Sequence, residues 1–145
     1  MAAADSSAPG SVASSVRVVA LDHFVLRVRD LDRSLSFYRD TLGLPVEFLE
    51  EYRAGQRPFV SLRVGEQLID LVPDATYVAP PQSGFLHFCL RVAGRLEDVL
   101  AQLEQCGVHL LEQAPVRRMG AKGWGWAAYV QDPDGYVVEL KEEGQ

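Results

Sequence analysis

Residues 21–28 read LDHFVLRV, and residues 85–92 read FLHFCLRV. The two stretches share the frame His-Phe-x-Leu-Arg-Val, and His23 and His87 occupy the same place in it. Apolar residues alternate with other residues in both, as they do in a half-buried strand. Each histidine therefore lies on the face opposite to the most hydrophobic side of its strand. The repeat predicts two equivalent modules whose histidines can converge on one point.

The repeat continues beyond the strands. Residues 30–42 and residues 94–106 both carry leucines at helical spacing, and a glycine follows each segment, at Gly43 and Gly107. Both segments are therefore predicted to be helices that end at the glycine. The pattern after them is strand-like, and the predicted strands cover residues 44–52, 58–64 and 67–72 in the first half and 108–116, 124–131 and 136–141 in the second. Residues 117–123 are predicted to form a basic loop, and Asp-Pro-Asp-Gly at 132–135 to form a turn.

Each half thus reads β-α-β-β-β, and the predicted fold class is α+β. One four-stranded unit with one helix buries only one face of its sheet. Two units side by side would form an open eight-stranded barrel-like mixed sheet with a concave interior and helices on the outer face. The predicted organisation is a disordered tail (1–15), a first module (16–73), a linker (74–83) and a second module (84–142), all within a single domain covering 16–142.

Composition narrows the function classes. The chain has 145 residues, a net charge of −6 and an ordinary hydrophobic content of 48%. The negative charge argues against nucleic-acid binding, and no apolar run is long enough for a membrane span. The two cysteines form neither a disulfide framework nor a CxxC metal motif. A cytoplasmic location is the expectation that fits these features.

The last strand of each half carries an acid at a matching place. Asp70 lies between Ile69 and Leu71, and Glu139 lies between Val138 and Leu140. By strand alternation both acids leave the helix-covered face, as the histidines do. Imidazoles with one or two carboxylates are a ligand set for a divalent first-row metal that keeps open positions. The alternative is a degenerate site that kept the fold and lost the metal.

These motifs together point to a family. The first-strand histidine, the segment SLSFYRDTLGL, the second histidine and the segment DPDGYVVELKE strongly resemble the vicinal oxygen chelate superfamily. That superfamily includes glyoxalase I, bleomycin-resistance proteins, fosfomycin-resistance enzymes and extradiol dioxygenases. The segment APVRRMGAKGWGWAAYVQDPDG resembles small glyoxalase-domain proteins. The potassium-loop and phosphonate-binding residues of the fosfomycin transferases are not recognisable, so fosfomycin chemistry is disfavoured.

The resemblance implies roles for individual residues. His23, His87 and Glu139 fall on the metal-ligand positions of the first, fifth and eighth strands. Asp70 falls where glyoxalase I has a glutamate, one methylene longer, and it is the candidate catalytic base if it is not a permanent ligand; its other role would be to hold a water on the metal. Glu139 is the second candidate catalytic residue. The ligand types allow Fe, Mn, Ni, Co or Zn.

Four residues are candidates for substrate binding. Phe59, Trp124 and Trp126 could wall an apolar pocket, and Lys122 in the basic loop could meet an anionic group of the substrate. The alternative for the tryptophans is core packing, and the alternative for Lys122 is a solvated loop.

The function predicted from these features is that of a metal-dependent, glyoxalase-like lyase or isomerase, acting on a small molecule with vicinal oxygens. Small members of the family commonly form homodimers, sometimes with the cavity across the interface, and a homodimer is expected here. Two alternatives stay open: an extradiol-type dioxygenase with Fe(II), which would want an additional acid–base histidine or tyrosine, and a non-catalytic binding protein of the bleomycin-resistance kind.

Overall fold

The repeated phrase forms the first strand of each of two four-stranded sheets. The computed structural model describes residues 15–81, 86–112 and 115–143. The tail predicted for residues 1–15 lies outside this range except for Ser15. The first half contains β1 (His23–Val28), α1 (Leu31–Leu35), a π-helix (Ser36–Thr41), β2 (Val46–Glu47), α2 (Leu49–Arg53), β3 (Val60–Val64) and β4 (Gln67–Pro73). The second contains β5 (His87–Val92), α3 (Leu96–Gln105), β6 (Val116–Gly120), β7 (Gly123–Gln131) and β8 (Val137–Glu142).

The two sheets have the same topology. Their strand orders are β1-β4-β3-β2 and β5-β8-β7-β6. In each sheet the first and last strands of the module pair in parallel and the other pairs are antiparallel. The predicted α+β class and paired modules are therefore confirmed. The sheets lie next to each other without closing into a barrel.

The structure corrects three local predictions. Residues 44–52 were expected to form one strand, but only Val46–Glu47 is a strand and α2 follows it. Phe48 separates the two elements in the left-handed region, at φ 69°, which breaks strand geometry. Of the predicted strand at 108–116, residues 108–112 and 115 form no strand apart from an isolated bridge between Leu110 and Val130, and Val116 begins β6. The segment 117–123, which was predicted to be a basic loop, contains β6 up to Gly120, a turn at 121–122 and the start of β7.

One apolar core serves both sheets. It receives Leu26 and Val28 from β1 and Val138 and Leu140 from β8, together with apolar residues of the helices. The rings of Phe24 and Phe88, from the two copies of the repeat, are 5.0 Å apart. Burial of this apolar surface is the main favourable term in folding. Each sheet therefore presents one face to the shared core, and its polar face lies on the other side.

Polar contacts join the halves across the core. The buried Tyr38 hydroxyl donates a hydrogen bond of 2.6 Å to Asp132 Oδ2. Asp132 Oδ1 accepts from the backbone nitrogens of Asp134 and Tyr136, which holds the Asp-Pro-Asp-Gly turn in shape. The Tyr136 hydroxyl donates to the carbonyl oxygen of Arg27. The turn before β8 is thus tied to the first module.

Within the described residues, no helix is long and apolar enough to cross a membrane.

Burial raises the pKa of Asp132 to about 6, against the opposing effect of its three hydrogen-bond donors. A carboxyl group whose folded pKa is raised contributes stability that is present at low pH and is lost as the pH rises through the folded value. Replacing Asp132 with Asn should remove this dependence. Between pH 4 and pH 7, the free energy of unfolding of wild type should fall by about 2–3 kcal/mol relative to that of Asp132→Asn.

This prediction is checked by urea unfolding of both proteins across that pH range. The quantity compared is the difference in the free energy of unfolding between the two proteins at each pH. The contributions of the carboxyl groups that both proteins share cancel in this difference, including those of Asp40 and Glu47, whose pKa values are lowered by hydrogen bonds from Arg39 and Arg63. A difference that stays constant with pH would contradict the prediction.

Candidate metal centre

The second module carries an imidazole–carboxylate pair on its polar face. His87 begins β5, and Glu139 lies at the middle of β8, where it is opposite Cys89 in the parallel register. The His87 Nε2 and Glu139 Oε2 atoms are 3.0 Å apart. The Glu139 side chain is only 9% exposed and that of His87 is 23% exposed. The two predicted ligands of this module therefore meet in a partly desolvated position.

A second pair occupies the equivalent face of the first module. His23 Nε2 lies 3.9 Å from Asp70 Oδ2, and Asp70 Oδ1 accepts a hydrogen bond of 2.7 Å from Ser61 Oγ. The other imidazole nitrogen, Nδ1, lies 2.6 Å from Asp22 Oδ1, and this hydrogen bond raises the pKa of His23. A carboxylate on one ring nitrogen leaves the other nitrogen as the lone-pair donor, which is the usual arrangement of a metal-binding histidine.

The structure does not bring the three predicted ligands together within one chain. Across residues 15–81, 86–112 and 115–143, no three His, Cys, Asp or Glu side chains are grouped so that they could hold a metal. The expected convergence of His23 with His87 and Glu139 inside a single chain is therefore not found. The reason is the shared core, which takes the opposite face of both sheets and leaves a separate half-site on each.

Two predicted pocket residues lie on the other side of the sheet from Glu139. Glu139 is opposite Tyr129 in the register of β7 and β8, so Gly125, Ala127 and Tyr129 share its face. Trp124 and Trp126 alternate with these residues and point to the helix side, where they are 56% and 45% exposed. Within one chain they lie on the opposite face of the sheet from Glu139, and their role in substrate binding stays a prediction.

The other two candidates have different positions. Phe59 precedes β3 by one residue, two positions before Ser61, and the Arg57 guanidinium lies over its ring at 4.5 Å. If the alternation of β3 is continued by one residue, Phe59 lies on the face of Asp70, and its role as a pocket residue stays a prediction. Lys122 is exposed in the turn that joins β6 and β7, beyond the strand positions that face Glu139.

A tyrosine and an arginine complete the polar face of the second module. The rings of His87 and Tyr129 meet edge to face, with centroids 5.3 Å apart. Arg118 Nε donates a hydrogen bond of 3.1 Å to the Tyr129 hydroxyl. Strand alternation in the sequence indicates which face of its strand each of residues 129, 139 and 141 lies on. That Tyr129 touches His87, that Ser61 holds Asp70 and that Asp22 holds His23 depends on register and rotamer, which the sequence alone does not supply.

Comparison with known proteins agrees with this fold. The model of the Glyoxalase/Bleomycin resistance protein/Dioxygenase superfamily matches residues 20–140. The chain belongs to this superfamily.

Three relatives illustrate its range. A probable lactoylglutathione lyase of Synechocystis is 30% identical over 127 residues, which are 81% of this chain and 91% of the relative. The glutathione transferase FosA of Serratia marcescens is 32% identical over 124 residues, 83% and 79% of the two chains. The crystal structure of virulence protein STM3117 from Salmonella typhimurium superposes with a TM-score of 0.72 at 28% identity, covering 89% of this chain and 100% of the other.

The Cys89 thiol provides a chemical probe of this face. Its sulfur lies beside Glu139, and loss of hydration together with the negative charge and hydrogen bonding of Glu139 raises its pKa to about 12. Because the thiolate is the reactive form, Cys89 should be alkylated slowly at pH 8. In a Cys106→Ser background, Glu139→Gln should speed the reaction by about tenfold for each unit by which the pKa falls.

Iodoacetamide labelling followed by mass spectrometry, on protein treated with chelator, measures these rates. The matched control is Glu104→Gln, which removes an exposed carboxylate from α3. If Cys89 reacted at the rate of a free thiol in the protein that retains Glu139, the environment assigned to Cys89 would be contradicted.

Proposed function

We propose that the protein is a metal-dependent enzyme of the lyase or isomerase type, acting on a small molecule that offers two neighbouring oxygens. The observation that carries the proposal is the pair formed by His87 and Glu139, 3.0 Å apart on a partly desolvated polar face. An imidazole and a buried carboxylate, repeated as His23 and Asp70 in the other module, supply the nitrogen and oxygen donors that suit Zn, Fe, Mn, Co or Ni. The relatives named as lactoylglutathione lyases favour the same reaction class.

The residues that would hold the metal are His87 and Glu139 of one chain and His23 of a second copy. Each chain has two half-sites, and among the described residues neither of them groups three donors. A homodimer that places the first-module face of one chain against the second-module face of the other would complete two identical sites. A twofold dimer meets this requirement because each chain gives one half-site and receives the other. The exposed Val25, 54% exposed beside His23, supports burial of this face.

The metal would supply a Lewis acid for the developing oxyanion. The chain's own residues supply the rest. Asp22 fixes the His23 ring so that Nε2 is the free nitrogen. Ser61 holds one oxygen of Asp70 and leaves Oδ2 on the side of His23, where a carboxylate can take a proton from a substrate carbon and return it. Asp70 is therefore the proposed base, and Glu139 the proposed ligand from β8.

Replacing His87 with Ala should abolish metal binding while the fold is retained, because the side chain lies outside the apolar core. The affinity for Zn²⁺ or Mn²⁺, measured by titration of chelator-treated protein, should fall by more than about 100-fold. The matched control is His109→Ala, which removes an exposed histidine of a loop and should leave the affinity unchanged. Equal metal content in the His87→Ala and wild-type proteins would remove the assignment.

Mixing two inactive variants tests the shared site. If His23 comes from the second chain, a heterodimer of His23→Ala and His87→Ala has one site with both changes and one site with neither. Unfolding the two variants together and refolding them in equal amounts should restore about one quarter of the wild-type metal sites. If each site lay within one chain, every site would carry one change and the mixture would restore none.

An extradiol-type dioxygenase is the second candidate, and Tyr129 favours it. The ring of Tyr129 touches His87 and its hydroxyl is held by Arg118, so it can serve as the additional acid–base group that this chemistry needs. Protein loaded with Fe(II) would then consume oxygen with a catechol, and Tyr129→Phe would lower kcat. Measurement in an oxygen electrode decides between the two candidates: no uptake with wild type leaves the lyase or isomerase.

A further inference from the structure

Lys141 is a charged side chain that is buried on the same face of β8 as Glu139. The residue is only 5% exposed, and Glu139 lies two positions earlier, at a separation of roughly 6.5 Å along the strand. Within the described residues its amine makes no hydrogen bond and no ion pair, and it acts electrostatically on the Cys89 thiol. An uncompensated buried ammonium group is costly, because no partner replaces its lost hydration.

Two glycines make room for this side chain. A Cβ atom on Gly125 would lie 2.9 Å from Lys141 Nζ, and a Cβ atom on Gly120 would lie 2.9 Å from Cε and 3.3 Å from Nζ. The lysine thus extends from β8 across β7 to β6, in a channel that any other residue at either position would narrow. The two strands most distant from β5 in the sheet hold the amine in place.

Arg118 brings a second positive charge to the same region. It is opposite Gly125 in the register of β6 and β7, and Nζ of Lys141 packs against that glycine. The hydrogen bond with Tyr129 is the largest cause of a raised pKa of Arg118, and the carboxylates of Glu112 and Glu139 add to it at longer range. No carboxylate is paired with either cation in the part of the chain that is described. Two neighbouring cations that are not ion-paired can bind an oxyanion.

We infer that Lys141, assisted by Arg118, binds the anionic group of the substrate whose neighbouring oxygens reach His87 and Glu139. The substrate is therefore a small molecule that carries a carboxylate or phosphate group. An oxyanion would replace the lost hydration of the amine, which explains why the fold keeps this charge without a partner. The inference rests on the proposed function for the adjacent metal, but anion binding itself does not need the metal.

The experiment uses full-length protein treated with chelator, so that no bound metal contributes to the anion effect. Thermal unfolding is followed as a function of inorganic phosphate, and separately of acetate, at constant ionic strength. Saturable stabilisation is expected for one of the two anions, and the anion that acts at lower concentration identifies the phosphate or the carboxylate class. In Lys141→Met the half-saturating concentration should rise by at least about tenfold.

Two further variants make the result specific. Gly120→Ala keeps the charge but displaces the amine, and it should also weaken the anion effect. Arg53→Met removes an exposed cation on α2 and should not change it. The melting temperature of Lys141→Met without anion should be equal to or higher than that of wild type, because an unpaired buried charge has been removed.

Three outcomes would overturn the inference: no saturable effect of either anion on wild type, an unchanged anion response in Lys141→Met, or destabilisation of Lys141→Met together with loss of the dimer in sedimentation. The last would mean that the amine pairs with a carboxylate of a second chain. Failure of the metal proposal is distinguishable, because His87→Ala would then bind metal as wild type does while the anion response of Lys141 is unaffected.

Discussion

The burial of one face of each sheet in a single shared core governs the arrangement of the whole molecule. Phe24 and Phe88 meet there at 5.0 Å, and Tyr38 reaches across to Asp132. Apolar burial is proportional to the area removed from water, so the face that is richer in leucine, valine and isoleucine must turn inward. The histidines and acids, which alternate with those residues, remain on the opposite faces and form two separate pairs.

This separation has a direct consequence for function. A half-site with one imidazole and one carboxylate is expected to bind a divalent metal weakly, because it supplies only two ligands. A catalytic metal is typically held by three protein ligands and keeps a further position open for the substrate. The chain repeats a similar half-site in both modules. If the first-module half-site of one copy met the second-module half-site of another, the donors of both half-sites would lie in one site. The internal repeat and the proposed homodimer would thus together supply the donors of one site.

The second-module face combines three chemical tasks over a short distance. His87 and Glu139 provide the donor pair, Arg118 and Tyr129 provide an oriented hydroxyl, and Lys141 provides a buried positive charge that glycines at 120 and 125 accommodate. Superfamily membership is compatible with several reactions, as the names of the relatives illustrate. The positions of these five side chains, rather than the fold, carry the arguments about substrate class.

The sequence by itself determined the duplicated modules, the α+β class, both helices of the repeat and the face on which each histidine and acid lies, because period-two alternation and helix-ending glycines are local properties. The sequence pattern also predicted strands at residues 44–52 and 108–116. In the structure the first ends at Glu47, before the left-handed Phe48, and in the second half the strand that pairs with β7 is β6, which begins at Val116. Only the tertiary structure decided that the three predicted ligands are not grouped within the described part of one chain and that Lys141 is buried. Both facts depend on how two sheets share one core, which is a long-range packing outcome that no local pattern encodes.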